Sequence, residues 1–140
     1  MTQAVTLYLP EETLQRYRRG AAVAGKGVDE FIADRLAELR PPLADDLPDS
    51  LRDELKSLEE ADDQTLWQAA RCCLSAEKQE QYDRVLSRRA EASLTADEQR
   101  MLHELGDEAR RLTLKKAHAL MLLKWRGHLI PSSEDLRTNE

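Results

Sequence analysis

Residues 95–127, TADEQRMLHELGDEARRLTLKKAHALMLLKWRG, contain the longest uninterrupted helical pattern in the chain. Thr95 and Glu98 have the spacing of a capping box, which is typical of a helix start. No proline follows until Pro131, and Gly127 is a typical helix stop. The pattern predicts one helix of about thirty residues, roughly 45 Å long.

Apolar residues recur along this predicted helix at alternating spacings of three and four, which gives a heptad-like seam. Gly106 lies inside the helix, where it either weakens the helix or lets another backbone approach closely. Such a seam is typical of an intramolecular core or, less often, of a surface that fills a groove in a partner protein. With one polar break at Lys116, its members are Leu102, Leu105, Ala109, Leu112, Lys116, Ala119 and Leu123.

The second half of the predicted helix is basic, and two interpretations stay open. Cations near a helix C-terminus are favoured by the helix dipole and commonly form a solvated face. A basic surface can also dock an acidic partner or nucleic acid. The candidate partner-binding residues are Arg110, Arg111, Lys115, Lys116, Lys124 and Trp125.

Shorter helical patterns precede this segment. Asp62 and Asp63 stand before one of them, and Ser75 can cap the next. Further upstream, the proline- and aspartate-rich stretch PPLADDLPDS predicts a linker, with its boundaries at residues 43–50. We therefore expect a helical partner-binding region over residues 51–130 and a flexible tail over residues 131–140.

The N-terminal residues show a different periodicity. Residues 4–9, AVTLYL, alternate strictly and include β-branched and aromatic side chains, which predicts a strand. A lone strand leaves its backbone donors and acceptors unpaired, and no second strand is predicted. The economical partner is the same strand from another copy, which predicts a homodimer built on a two-stranded antiparallel ribbon.

Two helical patterns follow the predicted strand. Pro10 marks the start of the first and Gly25 its end. The second runs from about Val28 to Leu39 and carries apolar residues at helical spacing. The expected fold is therefore mostly α: a strand that pairs across a homodimer and two helices in residues 1–42, then a helical C-terminal region with one long helix.

A short strand ending in Leu9-Pro10, a helix, a glycine-containing turn and a second amphipathic helix resemble the ribbon-helix-helix family of Arc- and MetJ-like repressors and antitoxins over residues 3–40. In that family the paired strands lie in the DNA major groove and read base edges. The resemblance implies groove-facing roles for Ala4, Thr6 and Tyr8, with phosphate contacts at Gly27 and Val28. The implied dimer core consists of Val5, Leu7, Leu9, Phe31, Ile32 and Leu36.

Neither motifs nor composition point to catalysis. The chain has no glycine-rich phosphate loop and no His-Glu-x-x-His pattern, and its adjacent cysteines, Cys72 and Cys73, are not spaced as metal ligands. We expect no enzymatic activity, no metal and no cofactor. The net charge of −6 argues against generic nucleic-acid binding by the whole molecule, and no apolar run is long enough to span a membrane, so a cytoplasmic location is expected.

The expected function is that of an antitoxin-type transcription regulator. Its N-terminal part dimerises and binds operator DNA, and its helical region binds and neutralises a partner protein, a toxin nuclease on this hypothesis. The alternative is a structural or assembly adaptor that dimerises in the same way and recruits a protein partner without DNA. An autonomous repressor is the third hypothesis.

Overall fold

The computed structural model describes residues 1–137, and all regular structure in that part of the chain is helical. The chain divides into two compact units, an N-terminal unit of Met1–Arg40 and a C-terminal unit of Pro41–Glu140. None of the described helices is both long and apolar enough to cross a membrane. The helices are α1 (Glu11–Ala24), α2 (Val28–Leu39), α3 (Asp49–Glu59), α4 (Asp63–Ala70), α5 (Ala76–Glu91), α6 (Ala96–Trp125) and α7 (Ser133–Arg137).

The two helices of the N-terminal unit begin and end at the residues that the sequence predicts. Pro10 precedes α1 and accepts a hydrogen bond of 3.0 Å from the backbone N–H of Leu14. Gly25 ends α1 in the left-handed conformation, with φ of 68°, which a residue without a Cβ adopts at no steric cost. Helix α2 follows at once, with Gly27 as its extended N-cap residue.

The predicted N-terminal strand is wrong. Residues 1–10 contain no strand, and the part of the chain that the structure describes offers no strand with which they could pair. An isolated extended segment makes no ladder hydrogen bonds, so alternation of side chains alone does not make it a strand. The ribbon is therefore absent. There is no outward strand face of Ala4, Thr6 and Tyr8 and no inward strand face of Val5, Leu7 and Leu9. All six residues are exposed.

The N-terminal unit has a very small interior. Phe31 of α2 packs edge-on against Tyr17 of α1, with ring centroids 6.3 Å apart, and the guanidinium of Arg35 lies 5.4 Å from the Phe31 centroid. Ala21 is the one buried residue that the two helices contain. This unit consequently leaves most of its apolar side chains in contact with solvent.

The C-terminal unit is organised around α6, which packs against α3, α4 and α5. The predicted seam forms an intramolecular core, because Leu105, Ala119 and Leu123 are buried. Leu43 and Leu47, within the predicted linker, also pack against this core. Of the predicted tail, residues 133–137 form α7, and residues 138–140 lie outside the described part of the chain. The core cluster contains Leu51, Leu55, Leu58, Leu66, Ala69, Ala70, Ala119, Leu122 and Leu123.

Three helices of the C-terminal unit start at side-chain caps that the sequence indicates. Asp62 accepts a hydrogen bond of 2.8 Å from the N–H of Thr65, Ser75 one of 3.3 Å from Lys78, and Thr95 one of 3.2 Å from Glu98. Each cap satisfies an N–H group that the first helical turn leaves unpaired. These local signals fix where α4, α5 and α6 begin.

Candidate interaction surfaces

An exposed apolar helix face of the N-terminal unit lies on α2. Ile32, Leu36 and Leu39 recur at helical spacing, and Leu36 and Leu39 are 55% and 67% exposed. We call these three residues the α2 stripe. Phe31, next to them in sequence, turns towards α1 instead. Of the predicted dimer-core residues on α2, Phe31 and Ile32 are therefore half-buried and Leu36 is free to contact another surface.

The residues predicted to contact DNA form no basic surface. Residues 4–9 contain no cation, and Tyr8 is almost fully exposed. At the start of α2, a carboxylate oxygen of Asp29 lies only 2.7 Å from the position that a Cβ on Gly27 would occupy. Negative charge therefore already stands at the helix end where Gly27 and Val28 were expected to meet a phosphate.

Several cations of the N-terminal unit are neutralised within it. Lys26 forms an ion pair with Asp34, and Arg35 pairs with Glu38 at 2.7 Å. The hydrogen bond from Lys26, and after it the positive charge of Lys26, lower the pKa of the Asp34 carboxyl below its usual value. These pairs leave fewer free positive charges for phosphate contacts.

In the C-terminal unit, most of the predicted partner-binding cations are engaged in internal ion pairs. Lys115 lies 3.1 Å and Arg111 3.9 Å from the carboxylate of Glu54, which joins α6 to α3. Arg110 forms an ion pair with Asp107 one turn earlier in α6. Lys116 lines a small cleft beside Cys72.

An ion-pair cluster that the sequence does not reveal connects the C-terminal end of α6 with the end of α3 and the start of α4. Arg126 donates to Asp63 Oδ1 at 2.9 Å and to the backbone oxygen of Glu59 at 3.0 Å, and His128 Nε2 lies 2.7 Å from Asp63 Oδ2. Hydrogen bonds from Arg126 and then from His128 lower the pKa of Asp63. The partners are more than sixty residues apart, so no local motif could have indicated the cluster.

His118 and Cys72 carry groups that are able to do acid–base and thiol chemistry. His118 is buried, its Nε2 has no hydrogen-bond partner among residues 1–137, and burial lowers its pKa although Glu59 acts in the opposite direction. Burial also raises the pKa of the Cys72 thiol, against the effect of Lys115 and Lys116. Residues 1–137 contain no group of three or more His, Cys, Asp or Glu side chains placed to hold a metal ion.

A cleft of about 900 Å³ lies between α5 and the first half of α6. Its lining combines apolar side chains such as Tyr82, Leu86 and Leu102 with the polar groups of Arg89 and His103. His103 is exposed and forms a pair of 3.1 Å with an aspartate of its own helix. The cleft is an open depression between two helices.

The second half of α6 exposes an apolar face of its own. Leu114, Ala117, Met121 and Trp125 recur at spacings of three, four and four, so they lie on one side of the helix. Leu114, Met121 and Trp125 are 41%, 43% and 53% exposed. We call these four residues the α6 stripe. Trp125 is the only one of them among the predicted partner-binding residues, because the charges and the heptad-like seam dominate the pattern of this helix.

The chain was also compared with known proteins. No family model, no curated protein and no solved structure matches it. The ribbon-helix-helix resemblance therefore stays a prediction, and the strand that it implied is absent. The features that bear on function are the two exposed apolar surfaces, the α2 stripe and the α6 stripe.

Proposed function

We propose that this chain is a non-catalytic adaptor protein, which self-associates through its N-terminal unit and binds a partner protein through its C-terminal unit. The observation that carries the proposal is the burial of a single helical residue, Ala21, within Met1–Arg40. A unit that folds alone needs more interior than that. The α2 stripe is the surface that a second copy would cover.

The energetics of the N-terminal unit favour assembly. Isolated helices shorter than about 12–15 residues are marginal in water, and α1 and α2 have 14 and 12 residues. Units of about 40 residues or fewer usually need a disulfide, a metal or oligomerisation for stability. Covering exposed leucines contributes roughly 25 cal/mol per Å² of apolar area removed from water. Most oligomers of one chain are twofold symmetric, in which case the α2 stripe would meet the same stripe of the second copy.

The C-terminal unit, by contrast, has an interior of its own. Leu66, Leu122 and Leu123 are at most 1% exposed and fill the contact of α4 with α6. Such a unit supplies a rigid helical surface for a partner. The division between an under-packed N-terminal unit and a well-packed C-terminal unit supports the adaptor over a DNA-reading function.

Operator binding is not part of this proposal. It depended on outward strand side chains at Ala4, Thr6 and Tyr8, and that strand is absent. Asp29 also stands at the start of α2, where a phosphate contact was expected. That the partner is a toxin nuclease stays a prediction, which growth rescue against the product of a neighbouring gene tests directly.

Self-association is tested by measuring the molar mass of the full chain in solution by light scattering over a range of concentrations. We expect a dimer, twice the chain mass of 16.0 kDa. Leu36→Glu places a charge in the α2 stripe and should give the monomer. Val23→Glu is the matched control, because Val23 is an apolar α1 residue that is 91% exposed.

A monomer at all concentrations, with an N-terminal unit that resists proteolysis, would overturn the adaptor proposal.

DNA binding is measured in parallel by fluorescence anisotropy, on upstream and scrambled DNA across a salt series. We expect equally weak binding to both. Steeply salt-dependent binding to the upstream sequence alone would favour the regulator instead.

A further inference from the structure

We propose that the α6 stripe binds an amphipathic helix of the partner protein, and that this helix carries carboxylates along the edges of its apolar face. The inference rests on the proposed adaptor function and names the class of partner that the C-terminal unit recognises. It is built from the geometry, the residue types and the charges of the second half of α6.

The geometry of the stripe suits a helical partner. From Leu114 to Trp125 it extends over roughly 16 Å, about three helical turns at ~1.5 Å per residue. The opposite side of the same helix is occupied, because Ala119 and Leu123 are buried in the core. The stripe is therefore an apolar ridge on a helix that is already held in place, and anchors at helical spacing are what a second helix packs against.

The residue types are those of a binding surface. Methionine is unbranched and polarizable, so Met121 can adapt to the side chains that meet it. Tryptophan is enriched among the residues that dominate binding energy, and the Trp125 indole is 53% exposed. Ala117, between Leu114 and Met121, leaves room for a side chain of the incoming helix.

The charges around the α6 stripe indicate which charges the partner helix should carry. Residues 109–127 contain no aspartate or glutamate, whereas the chain as a whole carries a net charge of −6. Arg110 lies one turn before Leu114, and Lys124 lies beside Trp125. Lys124 forms no ion pair within the described residues, and Arg110 is paired with only one exposed aspartate. Carboxylates at the edges of a partner helix would pair with these two cations.

An anionic membrane is the less favourable occupant of the same surface. A bilayer would face the whole side of the molecule, and a net charge of −6 repels an anionic surface. A single helix contacts only the stripe and its flanking cations. A narrow apolar ridge flanked by cations therefore matches a helix better than it matches a lipid surface.

The test uses the full chain and a synthetic peptide with blocked ends, about five helical turns long, with leucines on one face and glutamates along both edges. The control peptide has lysines in place of the glutamates. Binding is measured by fluorescence anisotropy of the labelled peptides. We expect the glutamate peptide to bind at least about tenfold more tightly than the lysine peptide, a difference of about 1.4 kcal/mol.

Three variants assign the binding to the stripe. Met121→Glu should weaken binding of the glutamate peptide by at least about tenfold, and Lys124→Glu should reverse the preference between the two peptides. Met101→Glu is the matched control, since Met101 is an exposed methionine of α6 outside the stripe, and it should change nothing. Circular dichroism checks that each variant keeps its helix content.

Four results would overturn the inference: no binding of the glutamate peptide, equal binding of both peptides, binding that Met121→Glu leaves intact, or capture by phosphatidylglycerol vesicles without peptide binding. A change in molar mass of the Met121→Glu chain would overturn it too, since the stripe would then bind a second copy. Leu36→Glu separates this test from the previous one. If the Leu36→Glu chain is a monomer and still prefers the glutamate peptide, the result supports binding by the α6 stripe. If the wild-type chain is itself a monomer and shows the same preference, the result refutes only the self-association.

Discussion

The ring of Phe31 lies directly on Gly20. A Cβ atom placed on Gly20 would be 2.9 Å from Cζ and 3.0 Å from Cε1 of that ring. This contact joins α2 to α1, and it depends on the absence of a side chain at position 20. The small interior of the N-terminal unit is therefore sensitive to any added volume there.

Gly20→Val should displace the Phe31 ring and destabilise the N-terminal unit by about 1–2 kcal/mol, which is typical of overpacking. The measurement is the rate of limited proteolysis within Met1–Arg40. Ala22→Val, at an exposed position of the same helix, is the control and should leave that rate unchanged. Equal rates for the Gly20 variant and the wild type would show that the ring moves aside at no cost.

Gly106→Ala should stabilise the folded chain, in contrast to Gly20→Val. The atoms nearest to a Cβ there are side-chain atoms, Arg110 Nη1 at 3.5 Å and the Tyr82 hydroxyl oxygen at 3.6 Å, both ordinary contacts. No neighbouring backbone requires a glycine, so alanine should raise the free energy of unfolding by roughly 0.5–1 kcal/mol. Urea denaturation followed by tryptophan fluorescence measures this change. Ala117→Gly, the reverse change on an exposed face of α6, should cost a similar amount.

The core contact of α4 with α6 predicts a large effect at Leu123. Leu123→Ala should lower the free energy of unfolding by about 2–5 kcal/mol, because it removes buried methylene groups and leaves a cavity. Leu129→Ala is the matched control, since Leu129 is 93% exposed and should cost little. Similar urea midpoints for the two variants would contradict the assignment of the core.

Stability should fall with pH below about 6.5 because of His118. Burial lowers its pKa in the folded chain, so the unfolded chain binds the proton more readily. The contribution of neutral His118 to the free energy of unfolding is fully present above the ordinary histidine pKa. It is lost as the pH falls below that value, at up to about 1.4 kcal/mol per pH unit. Urea unfolding from about pH 7.5 to about pH 5 measures the slope.

Two variants identify the group responsible for that slope. His118→Met removes the titrating ring from the core and should flatten the decline. His103→Gln changes an exposed histidine of the same helix and should leave the slope as it is in the wild type. An unchanged slope in His118→Met would assign the pH dependence to other groups.

The features that the sequence predicted are those determined by neighbouring residues. Caps at Ser75 and Thr95, and the left-handed Gly25, set helix ends through contacts within one turn, so their signals are local. The strand over residues 4–9 was wrong because a strand depends on a partner that alternation does not supply. Side-chain periodicity shows what a strand could look like, and hydrogen bonding decides whether one forms.

The candidate surfaces were predictable only in part. The charges of α6 are visible in the sequence, but Glu54 and Asp107 pair with three of them, and which cations stay free depends on the fold. The α6 stripe could not be predicted for a related reason, because an apolar residue on a long helix can face either the core or solvent. Only the placement of α3 and α4 shows which side of α6 they leave uncovered.

The scarcity of buried residues in Met1–Arg40 has a consequence for how the chain unfolds. Local opening free energies follow the apolar contacts that each segment loses, so amide hydrogens of α1 and α2 should exchange with solvent far sooner than those of α6. The chain would then melt in two stages, and a single transition temperature would describe only Pro41–Glu140. If the first stage moves to higher temperature as the protein concentration rises, folding of the N-terminal unit and assembly are one event.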